Sequence, residues 1–236
     1  MRNILATIAV IGMCFVSSTG FAATVITIGT ISQFTGPGDL DLDGNIVKAT
    51  NFNGPDTTVA GVTFESDAGD PDYVGPQNVV GWQTKPEYGN SSDDDNLEAI
   101  MHDIRWANSA VPEFVEAHIP VIAGEMYKLQ ILISGNHPEI RVWDIEWEGI
   151  EAVDSITSLG LTSDTYDIGR STVYTLEAPA IDDVMDIRMG QVFGQTEGDD
   201  LNPIWQALTL ELVPEPSTGL LILLGSAVFV LARRKQ

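Results

Sequence analysis

The chain has one cysteine, Cys14, three histidines, and only 11 Lys+Arg against 34 Asp+Glu in 236 residues. Each shortage removes a class of function. Cys14 sits inside the apolar run Ile4 to Val16. A mature chain that has lost this run holds no disulfide, no cysteine nucleophile and no thiolate metal site, so its core holds by packing alone. A net charge of −23 repels phosphate backbones and anionic headgroups, which argues against nucleic acid as a partner. His102, His118 and His137 are spread over a helical, an extended and a turn-like stretch without metal-ligand spacing. There is no Gly-x-Ser-x-Gly elbow and no Gly-rich phosphate loop. A glycosidase-type carboxylate pair is all that is left for catalysis, and no spacing singles one out. The chain reads as a non-enzyme.

Both ends carry address-like patterns. Met1-Arg2-Asn3 is a short cationic start, Ile4 to Val16 is apolar, and Ser17 to Ala23 is rich in small residues. Those are the three parts of a secretory signal. Gly20-Phe21-Ala22 satisfies the small-x-small rule, so residues 1–22 are expected to form a signal peptide cleaved after Ala22. At the other end Val213-Pro214-Glu215-Pro216 leads into an uncharged run from Gly219 to Ala232, followed by Arg233-Arg234-Lys235-Gln236. Each proline fixes its own φ and keeps its predecessor out of the helical region, so this segment is stiff and extended. Residues 217–232 read as a transmembrane helix about 24 Å long, slightly short for a hydrocarbon core of about 30 Å. Snorkelling by Arg233 and Arg234 closes the gap, and the basic flank belongs in the cytoplasm.

This order of parts resembles the PEP-CTERM sorting signal of Gram-negative bacteria. The resemblance implies that Val213, Pro214, Glu215, Pro216, Arg233, Arg234 and Lys235 form the sorting signal, within residues 213–236. It implies a membrane exosortase as partner and export by the general secretory route. The protein would be held first at the inner membrane, then delivered to the envelope, the outer surface or an extracellular polysaccharide matrix. It implies an address and no activity.

Residues 23–212 are one domain's worth of chain, long enough to bury a core without staples. They hold seven of the cations and 33 of the anions, a net of −26. Such a surface suits solubility, divalent cations or neutral sugars. Most of this region alternates in short runs between turn signals: Val25 to Ile31, Ile46 to Phe52, Val59 to Glu65, Gln77 to Gln83, Glu113 to Ile119, Tyr127 to Ile133, Ile140 to Glu148, Thr172 to Glu177, Val184 to Met189 and Ile204 to Val213. One soluble helix is expected over Asp94 to Trp106, where Leu97, Ile100, Met101 and Ile104 recur at i, i+3, i+4 and i+7. Many strands, one helix and no βαβ rhythm predict a mainly β fold, an antiparallel β-sandwich of jelly-roll type.

A second resemblance lies in Val121 to Leu212. Glu125 to Ile133, then Arg141-Val-Trp-Asp-Ile-Glu-Trp-Glu-Gly149, then Asn202 to Leu210, are similar to strands of malectin-like, galactose-binding-like sandwiches. Gly61-Val62-Thr63-Phe64 is a weaker echo upstream. The resemblance implies the fold and leaves the ligand open.

Three constellations are candidate sites. Asp39, Asp41, Asp43 and Asn45, with Gly44 between the last two, copy the front of a calcium loop, whose alternate oxygens fold around one ion. Thr50 stands where that loop wants a bidentate carboxylate, which favours the alternative of a plain acidic turn. Asp93-Asp94-Asp95 and Glu197-Gly198-Asp199-Asp200 are acidic loops that suit helix capping and turn formation, or cation ligation. Trp82 and Tyr88 flank one loop, Tyr73 lies in another and Trp106 ends the expected helix; exposed rings there stack on sugar faces, and burial in the core is the alternative for Trp82 and Trp106. Trp143, Trp147 and Trp205 are expected in the core.

Three readings follow. The first is an exported, envelope-anchored sandwich that binds or scaffolds extracellular carbohydrate, as in a biofilm exopolysaccharide. The second is a structural surface protein whose acidic face gathers Ca2+ without a small ligand, and the third a glycoside hydrolase. Loop aromatics that turn out buried would favour the second over the first.

Overall fold

The computed structural model describes residues 29–74, 77–79, 81–82, 85–107, 114–134, 142–157, 169–190 and 202–214. The expected signal peptide, the transmembrane segment, and Glu215, Pro216, Arg233, Arg234 and Lys235 lie outside them, as does the acidic loop 197–200. In chain order the strands are β1 Thr30–Phe34, β2 Ile46–Asn51, β3 Thr57–Val59, β4 Val62–Ser66, β5 Tyr73–Val74 and β6 Gln77–Val79. Helix α1, Ser92–Ile100, comes next, then β7 Ile104–Trp106, β8 Val115–Pro120, β9 Met126–Ile133, β10 Val142–Trp147 and β11 Ile150–Thr157. The last are β12 Ser171–Pro179, β13 Val184–Gly190, β14 Ile204–Trp205 and β15 Ala207–Val213.

The alternation along these strands explains how they stack. On β8, Val115, Ala117 and Ile119 are buried while Glu116 and His118 point away. Strand β13 repeats this with Met185, Ile187 and Met189 inside. A strand with one apolar face belongs to a sheet with one wet side. These two are central in a five-stranded sheet of order β11-β10-β13-β8-β5. Strand β9 differs, being buried on both faces over Leu129 to Ile133. It is central in a seven-stranded sheet of order β1-β12-β9-β15-β2-β4-β3. Tyr127, Leu129, Ile131 and Ile133 join the main core with Trp143, Trp147 and Ile187 of the smaller sheet. Leu132 faces the opposite way, into a second core with Leu97, Ile100, Phe34 and Phe64, beneath α1 and the β3–β4 hairpin. The expected mainly β sandwich with one short helix is what the chain forms.

Several element boundaries differ from the expected ones. Helix α1 starts with a capping box, Asp94 N–H donating to Ser91 Oγ at 3.1 Å and Ser91 N–H to Asp94 Oδ2 at 3.0 Å. It ends at Ile100, so Trp106 stands in β7 and not at a helix end. The apolar spacing ran on because Leu97, Ile100 and Met101 enter the second core, while Ile104 belongs to a strand in the main core. The stretch Val59 to Glu65 is the tip and second arm of a hairpin, turning at Ala60 and Gly61 with φ of 47° and 85°. Strand β11, which pairs antiparallel with β10, was not among the expected strands. The run Ile204 to Val213 is cut at the buried Gln206, whose Nε2 donates to the Ser134 carbonyl at 3.0 Å.

One pairing breaks the antiparallel rule and shapes the surface. Strands β2 and β4 run parallel and match only at Thr50 with Glu65 and Asn51 with Ser66. Toward Ile46 the two strands part, and a groove opens between them.

Candidate functional site

The groove encloses about 550 Å³, lined among others by Asp43, Asn45, Lys48, Ala60, Thr63 and Glu65. A smaller hollow of about 360 Å³ continues past Leu42 and Asp43 to Asp93 and Asp94. Among the described residues no aromatic ring lines either one. Lys48 Nζ lies 2.6 Å from Asp70 Oδ2 and 3.3 Å from Asp72 Oδ2. Burial opposes its charge, yet the bonds and charges of Asp70 and Asp72 outweigh this and hold the lysine above its usual range. Burial likewise opposes ionisation of Asp70, and the Lys48 and Asp72 donors hold it low. The groove thus carries carboxylates, an amide, a hydroxyl and one cation that is already paired.

The calcium-like loop forms the near wall of this groove, but its carboxylates do not converge. Asp39 Oδ2 accepts from Thr35 N–H at 2.8 Å and from Thr35 Oγ1 at 2.9 Å. Asp41 Oδ2 accepts from Lys128 Nζ at 2.5 Å, and Lys128 also pairs with Glu211. The Asp41 backbone is clamped at both N–H and C=O by the Gln130 amide, at 3.0 and 2.7 Å. Asp43 and Asn45 are exposed, and the Asn45 carbonyl accepts from Leu212 N–H at 2.9 Å. Among the described residues no group of three His, Cys, Asp or Glu is placed to hold a metal ion.

The four candidate rings do not form a shared exposed face. Tyr73 is a core residue, its ring edge-on to Phe52 at 5.0 Å and its hydroxyl 2.5 Å from Thr50 Oγ1. Tyr88 is half-buried against Phe34, with ring centroids 5.5 Å apart and its hydroxyl 2.5 Å from Ser171 Oγ. Burial pushes both phenols well above their usual range. Trp82 and Trp106 are half-buried and pack against the main core. Tyr73 and Trp106 stand on strands β5 and β7, and all four rings pack against the two cores. Trp143, Trp147 and Trp205 are fully buried, as expected.

Sequence reasoning missed two features that strand register assembles. On the outer face of the five-stranded sheet, His118 stands opposite Asp186 and Glu116 opposite Arg188. His118 Nδ1 lies 2.7 Å from Asp186 Oδ1, and Arg188 Nε donates to Glu116 Oε1 at 2.7 Å. Arg188 also lies over the Phe114 ring, 4.2 Å from its centroid. No local pattern shows such a network, because its members come from strands 70 or so positions apart.

The second feature is Glu148, at the β10–β11 turn with φ of 51°. Burial, helped by the Asp182 and Asp186 charges and opposed by the Asp186 and Ile181 backbone donors, pushes its carboxyl from 4.5 up to about 7. The folded state therefore keeps a proton that the unfolded chain releases, so stability falls as pH rises from about 4.5 to about 7. The group is partly exposed, and screening reduces the loss to about 1 kcal/mol. Glu148→Gln is expected to gain about that much over the parent at pH 8 and almost nothing at pH 4.5. Urea titrations of both proteins at the two pH values check this; an equal difference at each would count against it.

The family described as the PEP-CTERM protein-sorting motif matches residues 212–236, so the chain carries that motif at its C terminus. The motif marks an exported protein handled by an exosortase and anchored in the membrane before it is sorted to the surface of a Gram-negative cell. No curated protein sequence matches the chain. Among solved structures it is similar to the ANXUR1 extracellular domain from Arabidopsis thaliana, at 14% identity and a TM-score of 0.55 over 72% of this chain and 49% of that one. The ANX1 ectodomain from Arabidopsis thaliana gives 15% identity and 0.55 over 73% and 52%. A structure of the plant peptide RALF23 in complex with FER and LLG2 gives 11% and 0.55 over 72% and 49%. These are malectin-like ectodomains, and the likeness shows the fold. The chain spans about half the length of each.

Proposed function

We propose that this chain is a non-catalytic surface or matrix protein: an acidic β-sandwich exported, held at the inner membrane by a C-terminal helix, and released to the envelope or extracellular matrix by an exosortase. The observation that carries this is the position of the sorting motif, which begins on the last residues of β15 with no linker between sandwich and signal. A folded, strongly anionic domain is thereby presented directly at the processing site. The inward turn of Tyr73, Trp82, Tyr88 and Trp106 favours a scaffold over a site that stacks sugars on exposed rings. Ca2+ enters this reading as a counter-ion of the whole acidic face, because Asp39 and Asp41 are already engaged.

Replacing Pro214-Glu215-Pro216 by three alanines in the natural host is the direct test. The expected result is that the chain stays in the inner-membrane fraction with residues 217–236 attached by intact mass. Unchanged release of a processed chain would sink the sorting role.

A second reading, extracellular carbohydrate binding, rests on the groove between β2 and β4. Its volume lies in the range of small-ligand sites, and Asn45, Thr63 and Glu65 offer the donors and acceptors that sugar hydroxyls need. Binding of the processed protein to the host polysaccharide, weakened by Asn45→Ala, would support this reading. No retention on that polysaccharide leaves the scaffold alone.

A further inference from the structure

Six large hydrophobic side chains are exposed among the described residues: Val47, Val74, Ile122, Ile150, Ile181 and Val184. Single exposed aliphatics are ordinary. Their distribution here is not even, because four of the six lie in or directly after three connections at one end of the sandwich. Ile122 lies between β8 and β9, Ile150 opens β11 directly after the β10–β11 turn, Ile181 lies between β12 and β13, and Val184 is the first residue of β13.

Backbone hydrogen bonds tie these connections together. Gly124 N–H donates to the Ala180 carbonyl and Ala180 N–H to the Glu125 carbonyl, both at 2.9 Å. Val121 N–H donates to the Asp183 carbonyl at 3.0 Å, and Glu148 N–H to the Asp186 carbonyl at 2.8 Å. The same end is where the chain leaves the sandwich. Val213, the last residue of β15, stands in register with Met126 at the start of β9, which in turn faces Pro179 at the end of β12.

The distance to the bilayer is then limited by covalent geometry. Only Pro214, Glu215 and Pro216 separate Val213 from the expected transmembrane helix, residues 217–232. Four Cα steps reach at most about 14 Å, less than half the width of a small domain. While the tail is anchored, this end must face the membrane, and no other end can.

We propose that Ile122, Ile150, Ile181 and Val184 form a membrane-contact tip that rests in the headgroup region around the C-terminal helix and fixes the domain's orientation until the tail is cut. The proposal rests on the anchored-tail reading above. Its occupant is a zwitterionic lipid surface with ammonium headgroups. The connections carry Glu125, Glu148, Asp182 and Asp183 beside the aliphatics, and no lysine or arginine. Carboxylates around an apolar tip accept from ammonium headgroups and repel anionic ones. Removal of the tail removes the constraint, and a tip this small does not hold a soluble domain on lipid unaided.

The test uses the chain with its tail, its signal peptide removed, in phosphatidylethanolamine/phosphatidylcholine vesicles. Ile122→Cys and, separately, Val74→Cys supply a thiol for a nitroxide label; Val74 is also exposed, at 49% against 60%, but lies on β5, away from the tip. The expected result is relaxation by dissolved oxygen several-fold stronger relative to a water-soluble nickel chelate at position 122 than at 74. Raising the phosphatidylglycerol content should shrink that ratio. Vesicle flotation is read first: a chain that does not float sinks the anchored-tail reading and this proposal together. A chain that floats with equal ratios at positions 122 and 74 overturns the tip alone. A third labelled protein, Ile122→Cys with Ile181→Ser and Val184→Ser, should float normally yet lose the difference, and an unchanged ratio would also overturn the proposal.

Discussion

Trp205→Ala is expected to destabilise the sandwich by about 3–5 kcal/mol, the range for emptying a large buried aromatic site. Trp205 is fully buried on the two-residue β14, which pairs with β7 at Arg105. Its indole stacks on Phe52 with centroids 4.8 Å apart and planes 26° apart, and Phe52 meets Tyr73 edge-on. Tyr73 in turn holds Thr50, the point where β2 and β4 begin to pair. The ring therefore supports the seam from which the groove opens, as well as filling the core. Trp205→Phe, which keeps an aromatic face, should cost far less. Urea denaturation of the three proteins reads both numbers, and an alanine variant within about 1 kcal/mol of the parent would contradict the packing described here.

The second large effect concerns Arg105 and Asp67. Their side chains meet at 2.7 Å with 9% and 1% exposure, and Arg105 also lies 5.9 Å from the Phe52 ring centroid. Asp67 further accepts from Asn53 N–H at 2.7 Å, while its own N–H donates to the Asn51 carbonyl. The pair thus links the end of β4 to β2 and to β7. A buried pair is of modest net benefit, but removing one partner strands the other's charge in the core, at a cost of about 3–5 kcal/mol. Arg105→Ala should show that loss. The double variant Arg105→Met with Asp67→Asn should be more stable than Arg105→Ala, because no isolated charge remains. Thermal and urea melts of the two variants decide it, with a double variant no more stable than Arg105→Ala as the contrary result.

Much of this molecule was legible without coordinates, and particular residues show where that stopped. Val115, Ala117 and Ile119 alternate with Glu116 and His118 in sequence, and the sheet buries the first set and wets the second. The same logic overextended α1, since Ile104 happens to continue a helical spacing while lying on a strand of another core. A periodic pattern reports which side is apolar and not which core it meets. The aromatic candidates are less exposed than expected for a related reason. Tyr73 was read on a loop and Trp106 at a helix end, yet both stand on strands, and Trp82 and Tyr88 pack against the cores from their connections.

The sequence alone determined the address and the kind of fold. Prolines 214 and 216, the uncharged run after them and the basic end act through neighbours in the chain, and so does the alternation that makes strands. Tertiary structure alone decided which groups share a surface. Asp41 meets Lys128 from 87 positions away, Arg105 meets Asp67 across two strands, and three separate connections bring Ile122, Ile150, Ile181 and Val184 to the end where the chain departs. Those juxtapositions depend on strand order and register, which arise from how the two sheets close over common cores and not from any local run of residues.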